Sequence, residues 1–191
     1  SSAASDVYKR QEAYGFTVEA LEPVAIGGQV FSSTLVRRHL AAGDVAGVVP
    51  LLGRHFTLEG KIIHGANRGR HLGFPTANLL TEKEILPRPG VYAVKARLGE
   101  EFFDGVMNIG FNPTFGTERI SLEVHLLDFD RQVYGETLRV YFVERLRDEQ
   151  VFTSAAELAR AISRDVARAR EVLATTRVIE YREYLDCGMK G

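Results

Sequence analysis

The sequence predicts a mainly β protein: a compact antiparallel β-barrel, followed by one long helix and preceded by a small α/β segment. Three observations predict it. After Gly53 the chain breaks into short β-type runs separated by Gly, Pro, Asn and Asp. Beyond them one stretch has helical apolar spacing and opens on a capping box. Ahead of them stand one strand-like and two short helix-like segments, too little to build a core of their own.

Taken in order, Ser1–Gln11 shows no helical or strand period and reads as an appended segment outside the fold. Phe16–Val24 (FTVEALEPV) alternates and predicts a strand, and Gly27-Gly28 marks a turn before Val30 and Phe31. Ser32 or Ser33 can cap a helix that carries Leu35, Val36 and Leu40 and stops at Gly43. Asp44 can cap a second, ending at Gly53. The expected strands are Phe56–His64, Gly90–Leu98, Phe102–Ile109, Arg119–Leu127 and Thr137–Val143. Closing them into a barrel over residues 54–150 removes exposed sheet edges. Ser154-Ala-Ala-Glu157 then starts the long helix, expected over 151–174. Leu158, Ile162, Val166, Ala169 and Leu173 form the stripe it lays on the barrel. From Thr175 the chain either extends the helix or frays, and 175–191 is read as a tail.

Composition narrows the function classes. The 191 residues carry 24 Lys and Arg against 25 Asp and Glu, a formal charge of −1, so no global field draws in nucleic acid or anionic lipid. A single cysteine, Cys187 in the polar tail, excludes a disulfide scaffold and a CxxC metal site. No apolar run approaches the ~20 residues that span a bilayer. A soluble protein of the reducing cytoplasm is expected.

Three segments can carry chemistry. In His64–Asn78 (HGANRGRHLGFPTAN), Gly65, Gly69 and Gly73 let backbone approach a ligand, and Arg68 and Arg70 supply charge for phosphate oxygens. There is no Walker A or dinucleotide fingerprint, and on its own the segment also reads as a solvated hairpin loop. Thr76 and Asn78, two apart on an extended segment, project to one side as hard oxygen donors of the kind that suit Mg²⁺ on phosphates. The second segment, Asn108–Gly116 (NIGFNPTFG), sets polar groups among Phe111 and Phe115, which fits either a flat heterocycle or an ordinary loop covering the core. In the third, SLEVHLL, period two puts Leu122, Val124 and Leu126 on one face and Glu123 and His125 on the other. Glu123 is then either a general base or a solvent-facing acid, and His125 reads first as a structural residue. Arg147 and Phe152, in the charged connection to the helix, can form one wall of a site.

In this order, GANRGRHLGFPTAN, NIGFNPTFG, SLEVHLLDFD with VYGE, and LRDEQVF resemble the riboflavin kinase domain of bacterial bifunctional riboflavin kinase/FAD synthetases. The resemblance covers about residues 54–174. Residues 12–53, with SSTLVRR, resemble the end of the same proteins' adenylyltransferase domain, a truncated remnant. The HxGH-type motif of that domain is absent from this sequence, so FAD synthesis is not expected. For the rest, the resemblance implies a six-stranded barrel of Greek-key type and transfer of the γ-phosphate of ATP, the co-substrate, to the ribityl 5'-hydroxyl of riboflavin, giving FMN. It implies Glu123 as catalytic base, and Thr76 and Asn78 as holders of Mg²⁺ and nucleotide phosphates. Gly65, Gly69, Gly73 and Arg70 would cover ATP; Leu126, Asp128 and Tyr134 would line the nucleotide side; Asn108, Gly110, Arg147 and Phe152 would face the flavin. Riboflavin, FMN, ATP and ADP are the implied partners, with no nucleic acid and no membrane. Two other readings remain at this level: a flavin-binding barrel without catalysis, and an OB-like barrel for single-stranded nucleic acid, which would need a basic groove.

Overall fold

Six antiparallel strands close into a barrel in the computed structural model, which describes residues 14–15, 17, 25–26, 29–65, 72–114 and 117–180. The chain divides into two units, Ser1–Ser32 and Ser33–Gly191. In the first, β1 (Ala25–Ile26) pairs antiparallel with β2 (Gln29–Val30). The expected appended segment, and all of the strand expected over 16–24 except Thr17, lie outside the described residues.

The second unit begins with α1 (Ser33–Ala42), which buries Leu40 and ends at Gly43, where a positive φ of 82° makes the left-handed turn that glycine adopts without strain. The Asp44 carboxylate does not cap the next helix. It accepts the Gly47 N–H at 2.8 Å and meets His39 Nδ1 at 2.8 Å, which together hold it below the usual carboxylate range. The following α2 (Val49–Leu52) starts on Pro50 in its first turn and stops at Gly53. Pro needs no N–H partner at that position, so the helix begins without a side-chain cap. Leu40, Val45 and Val48 join the same apolar core as Leu58, Ile62 and Tyr92. Residues 33–53 therefore pack with the barrel, and the boundary drawn by contacts falls before Ser33 instead of after Gly53.

The barrel strands are β3 (Thr57–Ile63), β4 (Ala77–Leu80), β5 (Gly90–Leu98), β6 (Glu101–Thr114), β7 (Thr117–Leu126) and β8 (Thr137–Arg147), closed in the order β3-β4-β7-β6-β5-β8. Strands β5, β6 and β7 follow one another and β8 returns beside β5, which is the Greek-key arrangement. Alternation sets the faces. In β7, Leu122, Val124 and Leu126 are buried in the barrel interior, whereas Glu123 and His125 point to the outer side. Strand β5 is buried on both faces because α3 (Ala155–Ala174) covers its outer side. Val91 and Ala93 of β5, with Val106 of β6 beside them, pack on Ala169 and Leu173. Ser154 accepts the Glu157 N–H at 3.2 Å, and the Glu157 carboxylate reaches back to the N–H of Thr153 at 3.1 Å, one residue before the cap.

Two expectations change. Beyond the expected end at Ile109 the strand continues over residues 110–114: there β6 has no partner in β5 and pairs with β7 alone, from Gly110↔Ser121 to Thr114↔Thr117. Pro113 is tolerated in this two-stranded ribbon because one edge carries no ladder that its missing N–H would break. Past Ala174 the helix neither continues nor frays within the described residues. Ile179 exchanges backbone and side-chain hydrogen bonds with His55 (3.3 and 3.0 Å), and Glu180 meets Tyr141 and Arg97. His55 is buried, which pushes its pKa down and keeps Nδ1 free to accept.

Candidate functional site

Directly paired residues on neighbouring strands project to the same side of a sheet. One such row crosses five strands: Asn78 on β4, Glu123 on β7, Asn108 on β6, Val91 on β5 and Arg147 on β8. Arg147 joins the row only through irregularities in β8. Tyr92 pairs with Arg145 and Val91 with Arg147, so Leu146 is an extra residue opposite that step, and a second shift lies between Ala93 and Val94. Without the bulge, Arg145 and Arg147 would share a face. With it, Arg145 follows Tyr92, a residue of the inner core, and Arg147 follows Val91 to the outer side.

Glu123, Asn108, Val91 and Arg147 of this row floor an outer-face cavity of about 260 Å³. Thr76, Asn108, Gly110, Glu123, His125, Arg147 and Phe152 line it, and α3 closes one side with Leu158, Ile162 and Asp165. Glu123 is held at both oxygens. Ser121 donates to Oε1 at 3.0 Å, and Thr76 Oγ lies 3.5 Å from Oε2, the outer limit of a hydrogen bond, which leaves both oxygens open to a third group. Arg147 is locked. Its Nε reaches both Asp165 oxygens (2.9 and 3.1 Å), Nη2 donates at 2.7 Å, Nη1 donates to the Asp148 carbonyl at 3.0 Å, and the guanidinium sits 5.7 Å from the Phe152 ring. Asp165, only 7% exposed, balances this cation in place.

A second cavity of about 370 Å³ opens between Pro75–Ala77 and the β7–β8 connection. Core residues Ile62, Val124 and Leu126 form its base, and Phe129, Asp130, Arg131, Gln132 and Tyr134 its side. Thr76 borders both cavities. Tyr134 stacks on His64 with ring centroids 3.7 Å apart. The Arg131 guanidinium lies 4.9 Å from the Phe129 ring and binds Glu101 at 2.7 Å.

Of the residues expected to form a site, Glu123, Thr76, Asn108, Gly110, Arg147 and Phe152 therefore meet at one cavity, and Leu126 and Tyr134 meet Thr76 at the other. Four take other places. Asn78 stands beside Glu123 in the row but lines neither cavity; its carboxamide lies against Gly65. Gly65 packs closely on that carboxamide, since a Cβ there would come within 1.9 Å of Asn78 Nδ2. Gly73 is exposed at a positive φ of 84°. Asp128 turns away: Arg170 of α3 grips its carboxylate through two contacts of 2.8 Å and holds it below the usual range. Gly69 and Arg70 lie outside the described residues.

Gly65→Ala is accordingly expected to lower stability by about 1–3 kcal/mol through overpacking. The double variant Gly65→Ala/Asn78→Ala should recover most of the loss in urea unfolding. No recovery would mean that Asn78 is not what Gly65 accommodates.

Sequence reasoning passed over Ser121, Asp165 and Glu149, another lining residue of the outer-face cavity. Asp165 had a legible signal, because it sits three residues after Ile162 and four before Ala169, inside the apolar stripe. Ser121 and Glu149 had none. Among the described residues no group of three or more His, Cys, Asp or Glu could hold a metal by itself, and no helix is long and apolar enough to cross a membrane.

The family model for riboflavin kinase, or flavokinase, matches residues 52–173. The chain is 45% identical over 161 residues to the bifunctional riboflavin kinase/FMN adenylyltransferase of Pseudomonas fluorescens, covering 84% of this chain and 52% of that protein. The protein of the same description from Escherichia coli K12 is 42% identical over 165 residues (86% and 53%), and that from Bacillus subtilis 43% over 142 (72% and 45%). The chain thus spans about half the length of the curated relatives it matches. A solved structure titled a macrolide-efflux protein from Streptococcus pneumoniae superposes with a TM-score of 0.75 at 32% identity, over 85% of this chain and 54% of that one.

Proposed function

The chain belongs to the riboflavin kinase family, and from that premise we propose that it transfers the γ-phosphate of ATP to the terminal ribityl hydroxyl of riboflavin, yielding FMN and ADP. One observation carries the proposal. Thr76 lies at the shared border of two cavities, 3.5 Å from the single carboxylate in the row, so a hydroxyl from one side and a triphosphate from the other would meet there. The flavin occupies the outer-face cavity, its ring between Phe152 and the floor, with Asn108 and the locked Arg147 offering donors. The nucleotide occupies the cavity between Pro75 and Tyr134.

Phosphoryl transfer needs alignment and charge neutralisation more than covalent assistance. Glu123 takes the proton of the attacking hydroxyl on its open side while Ser121 keeps the carboxylate from rotating. The barrel holds both on one strand, which limits reorganisation during the reaction.

The donor set also fits Mg²⁺. Thr76 Oγ beside a carboxylate, with no cluster of His, Cys, Asp or Glu ligands among the described residues, suits an ion that takes few ligands from protein and most from phosphates and water. Thr76, with Asn78 two residues further along the chain, would hold this ion. Bound there, it would neutralise charge developing on the phosphate oxygens. Thr76→Ala is expected to raise the Mg²⁺ concentration needed for half-maximal rate and to weaken MgADP binding in calorimetry. Unchanged values for both would remove Thr76 from the nucleotide side.

Nucleic-acid binding and membrane association do not belong to this reading, which places the protein in the cytoplasm. Mass spectrometry after incubation with riboflavin and MgATP tests it: FMN supports the proposal, and riboflavin binding without FMN or ADP would reduce the protein to a flavin-binding barrel.

A further inference from the structure

We infer that His125 is a positioning residue that takes over where the β4–β7 ladder stops and sets Thr76 against Glu123; the inference rests on the kinase reading above. The pairing of β4 with β7 covers only Ala77↔Val124 and Asn78↔Glu123. Continuing it would set Thr76 opposite His125 and bring Pro75 into the ladder, but Pro75 has no N–H to donate. The imidazole ties the segment to β7 in place of the ladder, through the carbonyl of Pro75 and not its nitrogen. His125 Nδ1 donates to the Pro75 carbonyl at 2.8 Å, the peptide unit that leads directly into Thr76. The Phe74 ring meets the imidazole edge to face, with centroids 5.6 Å apart and planes at 84°, which fixes the plane of the donor.

The consequence is geometric. His125 is two residues from Glu123 on one strand and one face, so β7 positions both the base and, through this clamp, the hydroxyl facing it. If the clamp is lost, segment 74–76 keeps its tie to β7 only through the 3.5 Å contact between Thr76 and Glu123 and through the ladder that starts at Ala77.

The test compares His125→Ala with His125→Asn, whose side-chain amide N–H can occupy the place of Nδ1. His125→Ala is expected to lower kcat by about 10²-fold, as misplacement of a reacting group by around 1 Å does. It should also shift the Thr76 backbone amide resonance in the ligand-free protein, and His125→Asn should restore both. In the Thr76→Ala background, His125→Ala should add less than about threefold, because the residue it positions is gone. Normal kcat and an unmoved Thr76 resonance in His125→Ala would overturn the inference, as would full additivity with Thr76→Ala. If the wild-type chain formed no FMN, the kinase reading would fail; the Thr76 resonance and its rescue by Asn would still decide whether the clamp exists.

Discussion

Glu123→Gln is expected to lower kcat for FMN formation by about 10²–10⁴-fold, the usual contribution of a positioned proton acceptor. The substitution keeps size and shape and removes only the basic oxygen. Its surroundings accept an amide, since Asn78 and Asn108 flank it in the same row and Ser121 can turn its hydroxyl to either partner. Folding and riboflavin affinity should therefore stay close to wild type, and the loss should fall on kcat instead of KM. Coupled measurement of ADP release, with riboflavin binding followed by quenching of flavin fluorescence, separates the two. A variant that binds riboflavin and turns over at nearly the wild-type rate would show that the hydroxyl loses its proton elsewhere.

The second large effect is on stability. Asp165→Ala leaves the Arg147 guanidinium half-buried without its carboxylate, and breaking one side of such a pair costs about 3–5 kcal/mol. Urea unfolding measures this directly. Replacing both partners with apolar residues, as in Arg147→Met/Asp165→Leu, should cost much less, because no unpaired charge remains. A loss below about 1 kcal/mol in Asp165→Ala would mean that solvent reaches the guanidinium in solution. The pair also ties α3 to the site. In Asp165→Ala, Arg147 is free to leave the Phe152 ring, so riboflavin affinity should fall along with stability, whereas the double apolar variant should recover stability and not affinity.

Much of the barrel was legible. The β-type run Phe56–His64 marked β3, and alternation in SLEVHLL put Glu123 and His125 on the face away from the core, as observed. The capping box at Ser154 and the stripe from Leu158 to Leu173 marked α3, whose end at Ala174 is as expected and whose start at Ala155 falls four residues inside the expected 151–174. Less local features were not legible. Gly, Pro and Asn in NIGFNPTFG signal a loop, yet residues 110–114 are strand because β7 offers a full-length partner that outweighs turn propensity. Asp44 differs for a local reason: its carboxylate accepts the N–H of Gly47, three residues on, before the helix begins.

The candidate site divides along the same line. Thr76, Glu123 and Arg147 could be singled out one at a time, since the chemistry of a threonine hydroxyl, a lone acid in an apolar strand and a basic connection is carried by a few neighbouring residues. Two facts that make them a site have no local cause. Thr76 and Glu123 lie 47 positions apart and meet only because β4 pairs with β7. Arg147 faces the cavity only because extra residues in β8, defined by their pairing with β5, turn it outward while Arg145 turns inward. Caps, alternation and turns are settled by interactions within about a helical turn of sequence, so they can be read from the chain; register and bulges are settled by competition between whole strands for partners, and that exists only once the barrel has closed.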